Sequence, residues 1–218
     1  MAPKIATRSV LMRLIAVELA CHRGGRGVFS GVGFTVESGQ ALTISGRNGA
    51  GKSSLLRMIV GLLRTTAGRL TLEGGDPELS IAEQAHYLGH QDALKGSLSV
   101  AENLRFWAGF FGAASCDVRE PLEAVGLSAL AGLPAAYLSA GQRRRLSIAR
   151  LIAAPRPIWL LDEPTSTLDA AAQDRLADLM RTHLAGGGLI LAASHGPIGL
   201  EKTQELRLDQ TAAGGAAA

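Results

Sequence analysis

The eight residues Gly46-Arg47-Asn48-Gly49-Ala50-Gly51-Lys52-Ser53 restrict this chain more than anything else in it. They match GxxxxGK[ST] in full, a phosphate-binding loop that works only between a strand and a helix. Both are predicted here. Ala41-Leu42-Thr43-Ile44-Ser45 reads as a short apolar strand, and the run from Ser54 places Leu55, Met58, Ile59 and Leu62 on one helical stripe. The three glycines let the backbone curl until several N–H groups face one hollow. The helix N-terminus behind them adds partial positive charge. Lys52 is then placed to reach the β- and γ-phosphates of a nucleotide, and the Ser53 hydroxyl to sit on Mg²⁺. A plain glycine turn is the alternative, but it does not require Lys and Ser at fixed offsets.

The 218 residues suffice for one well-cored domain, and 47% hydrophobic with 19% charged composition is that of a globular chain. Strand and helix patterns alternate, which favours α/β. A net charge of +3 suits an anionic membrane surface or nucleic acid and decides neither. Cys21 and Cys116 are far apart with no CxxC, so reduced thiols are expected rather than a disulfide framework. No apolar run approaches the length of a membrane span. Arg13 and Glu18 interrupt the N-terminal apolar run, which reads as a strand and not as a signal segment.

Arg13 to Ala20 and Val28 to Val36 read as two strands joined by the turn-like Arg23-Gly24-Gly25-Arg26-Gly27. Short strands follow at Arg69–Glu73 and Ala85–Gly89, the second running into Gln91. From Ser99 to Leu133 the pattern is helical, with further helices at Asp117–Val125 and Gln142–Ala153. Ile158-Trp159-Leu160-Leu161 is a continuous apolar run, as a strand buried on both faces requires. Helix is expected over Asp169–Ala185, then strands at Gly188–Ser194 and Glu205–Asp209. The organisation expected is a single domain over 1–218. Its mostly parallel core covers about 10–89 and 155–210, a helical insert about 90–154, and a disordered tail 211–218.

The Ile158–Leu161 run ends in Asp162-Glu163, two carboxylates at the carboxyl end of a buried strand, where open α/β sheets hold ligands. In P-loop enzymes such a carboxylate holds Mg²⁺, a role that falls to Asp162. Glu163 is the candidate base for an attacking water. Taken alone, an apolar strand ending in Asp-Glu is a common strand exit; the upstream P-loop is what gives it weight.

Between these two motifs stands Leu138-Ser139-Ala140-Gly141-Gln142, which resembles the LSGGQ signature of ABC transporter ATPases, with Ala140 for the first glycine. Gln91 resembles their Q-loop glutamine, Ser166-Thr167-Leu168-Asp169 their D-loop, and His195 their switch histidine. The five motifs run in order over about residues 10–210. The resemblance implies a P-loop NTPase of ABC ATPase type, with N-terminal antiparallel strands, a parallel core and a helical subdomain. It implies ATP and Mg²⁺ as ligands. Nucleotide contacts fall on Gly46, Arg47, Asn48, Gly49, Ala50, Gly51, Lys52, Ser53 and Ser54, and from a second copy on Ser139, Ala140, Gly141, Gln142 and Asp169. Metal contacts fall on Ser53, Gln91 and Asp162, and catalysis on Glu163, His195 and Gln91. Each also has a plainer role: Ser139 as a helix N-cap, Ser166 with Asp169 as a capping box, His195 as a structural strand-end histidine.

Tyr87 to Lys95, Leu98 to Trp107, and Leu19-Ala20-Cys21 with Arg23-Gly24-Gly25-Arg26 are similar to the ATP-binding subunits of cytochrome c biogenesis systems, the heme exporter group. That resemblance implies a homodimer pairing head to tail around two ATPs. It also implies docking on integral membrane subunits of the cytochrome c maturation (Ccm) complex, at the cytoplasmic face of the bacterial inner membrane. ATP turnover would drive heme export or release of a heme-loaded chaperone. Arg23 stands where many relatives carry an adenine-stacking aromatic, and a guanidinium plane can stack as well. The docking surface is expected at Gln91–Trp107, with Phe106, Trp107, Phe110 and Phe111 either part of it or core of the insert. An ABC ATPase for another substrate stays open. So does a nucleic-acid-associated one, although the single cassette without a long inserted arm speaks against a nucleic-acid partner.

Arg143-Arg144-Arg145 fans over most of a helical turn and reads as a solvated or interdomain face. His86 and His90, about 13 Å apart along a strand, are too far apart to share a metal. No CxxCH and no axial-ligand cluster points to bound heme. The heme reading therefore rests wholly on the resemblance.

Overall fold

The computed structural model describes residues 11–208; the tail expected at 211–218 lies outside them. Strands β1 (Arg13–Arg23), β2 (Arg26–Glu37) and β4 (Ala67–Glu73) form an antiparallel sheet in the order β2-β1-β4. β3 (Ala41–Ser45), β5 (Ala85–Leu88), β6 (Ile158–Asp162), β7 (Leu189–Ala193) and β8 (Gln204–Arg207) form a second sheet, β5-β6-β7-β3-β8, parallel at every pairing. Helices α2 (Val100–Phe110), α3 (Arg119–Ala124) and α4 (Ala140–Ala153) lie in sequence between β5 and β6. Helices α1 (Lys52–Ile59) and α5 (Ala170–Ala185) each connect one strand to another.

Alternation explains the layering. Successive side chains of a strand face opposite ways. In β6, Ile158 and Leu160 join Leu55, Leu56, Met58 and Ile59 of α1 and Leu14 and Val36 of the antiparallel sheet. Trp159 and Leu161 join Leu104 of α2, Leu146 of α4 and Leu176 and Met180 of α5 on the other face. β7 divides the same way, with Leu189, Leu191 and Ala193 on the first face and Ile190 and Ala192 on the second. Every residue of β6 and β7 is buried, the condition that makes parallel strands continuously apolar.

Two helical expectations change. α1 starts inside the phosphate loop at Lys52 and stops at Ile59, because Gly61 takes a left-handed φ of 75°. Leu62 therefore leaves the buried stripe and is 68% exposed. The run from Ser99 to Leu133 is not helical to its end. Gly126, at φ 69°, ends the segment after α3, and only short 3₁₀ turns at Ser128–Leu130 and Ala135–Tyr137 follow. Ser99 begins α2 with a full capping box, its side chain accepting from the Glu102 N–H.

Candidate functional site

β3, β6 and β7 are parallel neighbours, so their carboxyl ends emerge on one side and bring three distant segments together. After β3 comes the phosphate loop, at the end of β6 Asp162 and Glu163, and past β7 Ser194 and His195. They border a cavity of about 460 Å³, lined by Asn48, Gly49, Gly51, Lys52, Ser53, Ser54, Glu163 and His195 together with Arg23 and Val28. Gly51 has φ 103°, and a Cβ there would stand 2.6 Å from Val28 Cγ1 and 2.8 Å from Phe29 Cδ1. Only glycine lets the loop pass under the β1–β2 hairpin that carries Arg23.

The Lys52 ammonium donates to the Gly46 carbonyl at 2.9 Å and lies 3.0 Å from His195 Nε2. Ser53 Oγ donates to Asp162 Oδ1 at 2.8 Å. The other Asp162 oxygen accepts from the Tyr87 hydroxyl at 3.2 Å, and that hydroxyl in turn accepts from Arg57 Nε at 3.2 Å. Burial raises the Tyr87 phenol above its ordinary range, so it remains a donor. Tyr87 and Arg57 hold Asp162 in place, a role the sequence did not suggest. Glu163 stands in the left-handed region at φ 46°, with its N–H on the Ala193 carbonyl at 2.9 Å. Its carboxylate is 3.6 Å from His195 Nε2.

Not every expected residue reaches this cavity. Gln91 is exposed and does not line it. Gly46, Arg47 and Ala50 shape the loop without lining it: Gly46 and Arg47 offer carbonyls to Lys52, and Ala50 is buried. Ser139, Gly141, Gln142 and Asp169 border a second hollow of about 180 Å³ that shares no lining residue with the first. Ala140 is exposed beside it. Ser139 caps α4 in a capping box with Gln142. The box between Ser166 and Asp169 does not form. Thr167, at φ 66°, breaks the helical approach, so Ser166 Oγ donates back to the Glu163 carbonyl and Asp169 itself caps α5.

The family described as ABC transporter matches residues 29–166. This chain belongs to the ABC transporter family. The cytochrome c biogenesis ATP-binding export protein CcmA of Rhodopseudomonas palustris strain BisB5 is 60% identical over 194 residues, 89% of this chain and 96% of that protein. The CcmA of Nitrobacter hamburgensis is 61% identical, over 92% of this chain and all of that one. The chain therefore lies in the CcmA branch of the ABC family. A solved ABC transporter ATP-binding protein from Pyrococcus furiosus shares the fold at TM-score 0.76 and 21% identity, covering 90% of this chain and 97% of its own.

Two parts of this ABC subunit depart from the sequence reading. Arg144 is no solvated residue: at 2% exposure it lies between α4 and the exit of β6, donating to backbone carbonyls there. Its neighbours are tied down too, Arg143 on the Leu138 carbonyl and Arg145 on those of Val125 and Gly126. The α2 aromatics are not core of the insert. Phe106 is 40% and Phe110 69% exposed. Trp107, Phe110 and Phe111 instead help wall a groove of about 1020 Å³ that Val60, Leu62, Leu79 and Tyr87 also line. Trp107 Nε1 anchors that wall by donating to the Ala93 carbonyl at 2.9 Å.

Proposed function

We propose that this chain is the ATP-hydrolysing subunit of an ABC complex for cytochrome c biogenesis, coupling ATP turnover to heme export or to release of a heme-loaded chaperone. The observation that carries the biological role is about 60% identity to CcmA export proteins over nearly their whole length. The observation that supports the chemistry is the convergence of Lys52, Ser53, Glu163 and His195 on one cavity, with Asp162 buried against the Ser53 hydroxyl.

Residues of this chain divide the work. The loop N–H groups and Lys52 bind the ATP phosphates, with Ser54 beside them. Ser53 Oγ and Asp162 Oδ1, 2.8 Å apart, are hard oxygen donors that suit Mg²⁺. Mg²⁺ held there would neutralise phosphate charge, and Gln91, which does not line the cavity in this structure, would join the set once its exposed segment moves in. Glu163 takes the proton of the attacking water, and His195 holds the γ-phosphate side of the cavity. Arg23 offers its guanidinium plane to the base. The second hollow, at Ser139–Gln142 and Asp169, is open toward solvent and apart from the first. That separation supports a head-to-tail homodimer in which each copy's signature covers the other's ATP.

In this reading the chain is one ABC ATP-binding domain, with a nucleotide core at about 10–89 and 155–210 and a helical subdomain at about 90–154. No helix among the described residues is long and apolar enough to cross a membrane. Membrane subunits of the Ccm complex supply the span, and the dimer sits peripherally on the cytoplasmic face of the inner membrane. The docking surface is the Gln91–Trp107 region, and the aromatic groove that Trp107 lines extends it. The test is capture of membrane partners from solubilised membranes by the Glu163→Gln protein with ATP. Cytochrome c maturation subunits are expected. A different permease would discard the heme role, and ribosomes or nucleic acid alone would overturn the transporter role.

A further inference from the structure

Among the described residues no lysine or arginine is more buried than Arg144. Its contacts are nearly all backbone. Nη1 donates to the Gly89 carbonyl at 2.7 Å, Nη2 to those of Asp162 at 2.7 Å and Glu163 at 2.8 Å, and Nε to that of Pro164 at 3.4 Å. Asp92 Oδ1 is 3.7 Å away, close enough to supply charge and too far to fix geometry. Burial pulls the guanidinium below its ordinary range, the sign of a cation kept in a costly place. A pure packing role is better served by an apolar side chain of similar volume.

The carbonyls it grips flank one residue. Those of Asp162 and Glu163 belong to the two peptides on either side of the Glu163 Cα, and Glu163 is held at φ 46°, a backbone state that non-glycine residues seldom adopt. With both peptides fixed, the direction of the Glu163 side chain is fixed. Only a planar fork of donors reaches four carbonyls at once; a lysine ammonium on the same stem does not. The other end of the fork matters equally. Gly89 lies two residues before Gln91, and Ser147, one turn along α4 from Arg144, donates to the Asp92 carbonyl at 3.0 Å. One guanidinium thus joins the helix that begins at Ser139, the segment around Gln91, and the backbone of Glu163.

We propose that Arg144 is a positioning residue that aims the Glu163 carboxylate and makes its aim depend on where α4 and the Gln91 segment stand. The inference rests on Glu163 being the base. A shift of α4 when the signature meets the partner copy's nucleotide, or of the Gln91 segment when the membrane subunit moves, passes through Arg144 to the catalytic carboxylate.

The experiment compares Arg144→Lys, Arg144→Gln, Glu163→Gln and the double variant Arg144→Lys with Glu163→Gln, each as full chain in its membrane complex. Turnover, KM for ATP, ATP affinity and thermal stability are measured together. Arg144→Lys should lower kcat about 10- to 100-fold, the cost of a misplaced catalytic group, while KM and ATP affinity stay within about twofold. Arg144→Gln should lower kcat at least as far. The double variant should be no slower than Glu163→Gln, because a badly aimed base and an absent base are equivalent. Near-normal kcat in Arg144→Lys, additive losses in the double variant, or a fall in kcat matched by falls in ATP affinity and stability each overturn the proposal. Full turnover by Glu163→Gln alone shows instead that Glu163 is not the base.

Discussion

His195 Nε2 lies 3.0 Å from the Lys52 ammonium. An ammonium has no lone pair, so in that contact Nε2 is the acceptor. The same nitrogen is 3.6 Å from Glu163 Oε1, a partner that suits a protonated Nε2. One nitrogen cannot serve both at once. In the proposed function, ATP phosphates that draw the Lys52 ammonium away would free His195 to turn toward Glu163 and the γ-phosphate. His195→Ala should cut kcat about 100-fold. Half of the side chain is exposed and it joins no core cluster, so thermal stability should not move. Unchanged steady-state ATP hydrolysis would deny the contact any catalytic role.

Lys52 is buried to 7% exposure, and its hydrogen bonds to Gly46 and Arg47 keep the ammonium inside the loop it serves. In the proposed function, removing it takes away a cation that binds the ATP phosphates. Charge-assisted hydrogen bonds contribute about 1.5–3 kcal/mol each, so Lys52→Ala should weaken ATP binding roughly 10- to 150-fold and end turnover. Titration calorimetry with ATP is the direct check; wild-type affinity would place the phosphates elsewhere.

Fixed spacing made part of this site legible in the chain. Gly46 to Ser53 must be read as a loop because glycine positions and Lys52 recur at set offsets. Asp162 stood out because the strand before it is apolar throughout, as only a doubly covered strand is. What stayed hidden depends on pairings across long stretches of sequence. Tyr87 reaches Asp162 because β5 and β6 are parallel neighbours with Tyr87 opposite Leu160, a register set across the intervening helices. Arg144 sits in an arginine run whose local pattern is that of a surface. Its burial follows from how α4 packs against the end of β6, and no short-range signal carries that. The breaks between α3 and α4 were missed for a related reason, since 3₁₀ turns keep much of the helical periodicity.

Glu163→Gln leaves the backbone contacts of Arg144 and Ala193 untouched, because both act on the main chain. What is lost is the carboxylate, both the proposed proton acceptor and the charge 3.6 Å from His195 Nε2. The variant should bind ATP at close to wild-type affinity, hydrolyse it at least about 100-fold more slowly, and accumulate as an ATP-bound dimer. Light scattering after gel filtration with Mg²⁺-ATP reads the dimer; an ATP-loaded monomer would argue against the head-to-tail arrangement.

Ser139 is exposed at the mouth of the second hollow and caps α4, accepting from the Gln142 N–H at 3.2 Å. Ser139→Arg fills that mouth and removes the cap, which costs about 1 kcal/mol of stability. The first cavity is untouched, so ATP affinity should stay within a few fold while dimer closure and turnover fail. Ser139→Ala separates the two effects, since it loses the cap without the bulk. If both variants lose turnover equally, the cap and not the interface explains the loss.

His86 makes the fold sensitive to acid at a place remote from the cavity. Its ring is buried, with Nε2 against the Ala154 carbonyl at 2.5 Å and in a T-shaped contact with the Phe111 ring at a centroid distance of 4.7 Å. Burial pulls its pKa down from 6.5 to about 4. The unfolded chain protonates this histidine as pH drops through 6.5, while the folded chain resists until about 4. Unfolding therefore takes up a proton in that window. Stability from this group is full above the upper bound, falls as pH falls, and levels off below the lower bound. The loss is about 3 kcal/mol across the window. His183, stacked on Trp159 and lowered to about 4 mainly by burial, acts in the same direction. His86→Gln keeps an N–H donor for the Ala154 carbonyl and cannot titrate. It should be less stable than wild type near neutral pH, and should lose less of its melting temperature between about pH 7 and pH 4.5. Parallel melting curves for the two proteins across that range would assign the acid sensitivity to other groups.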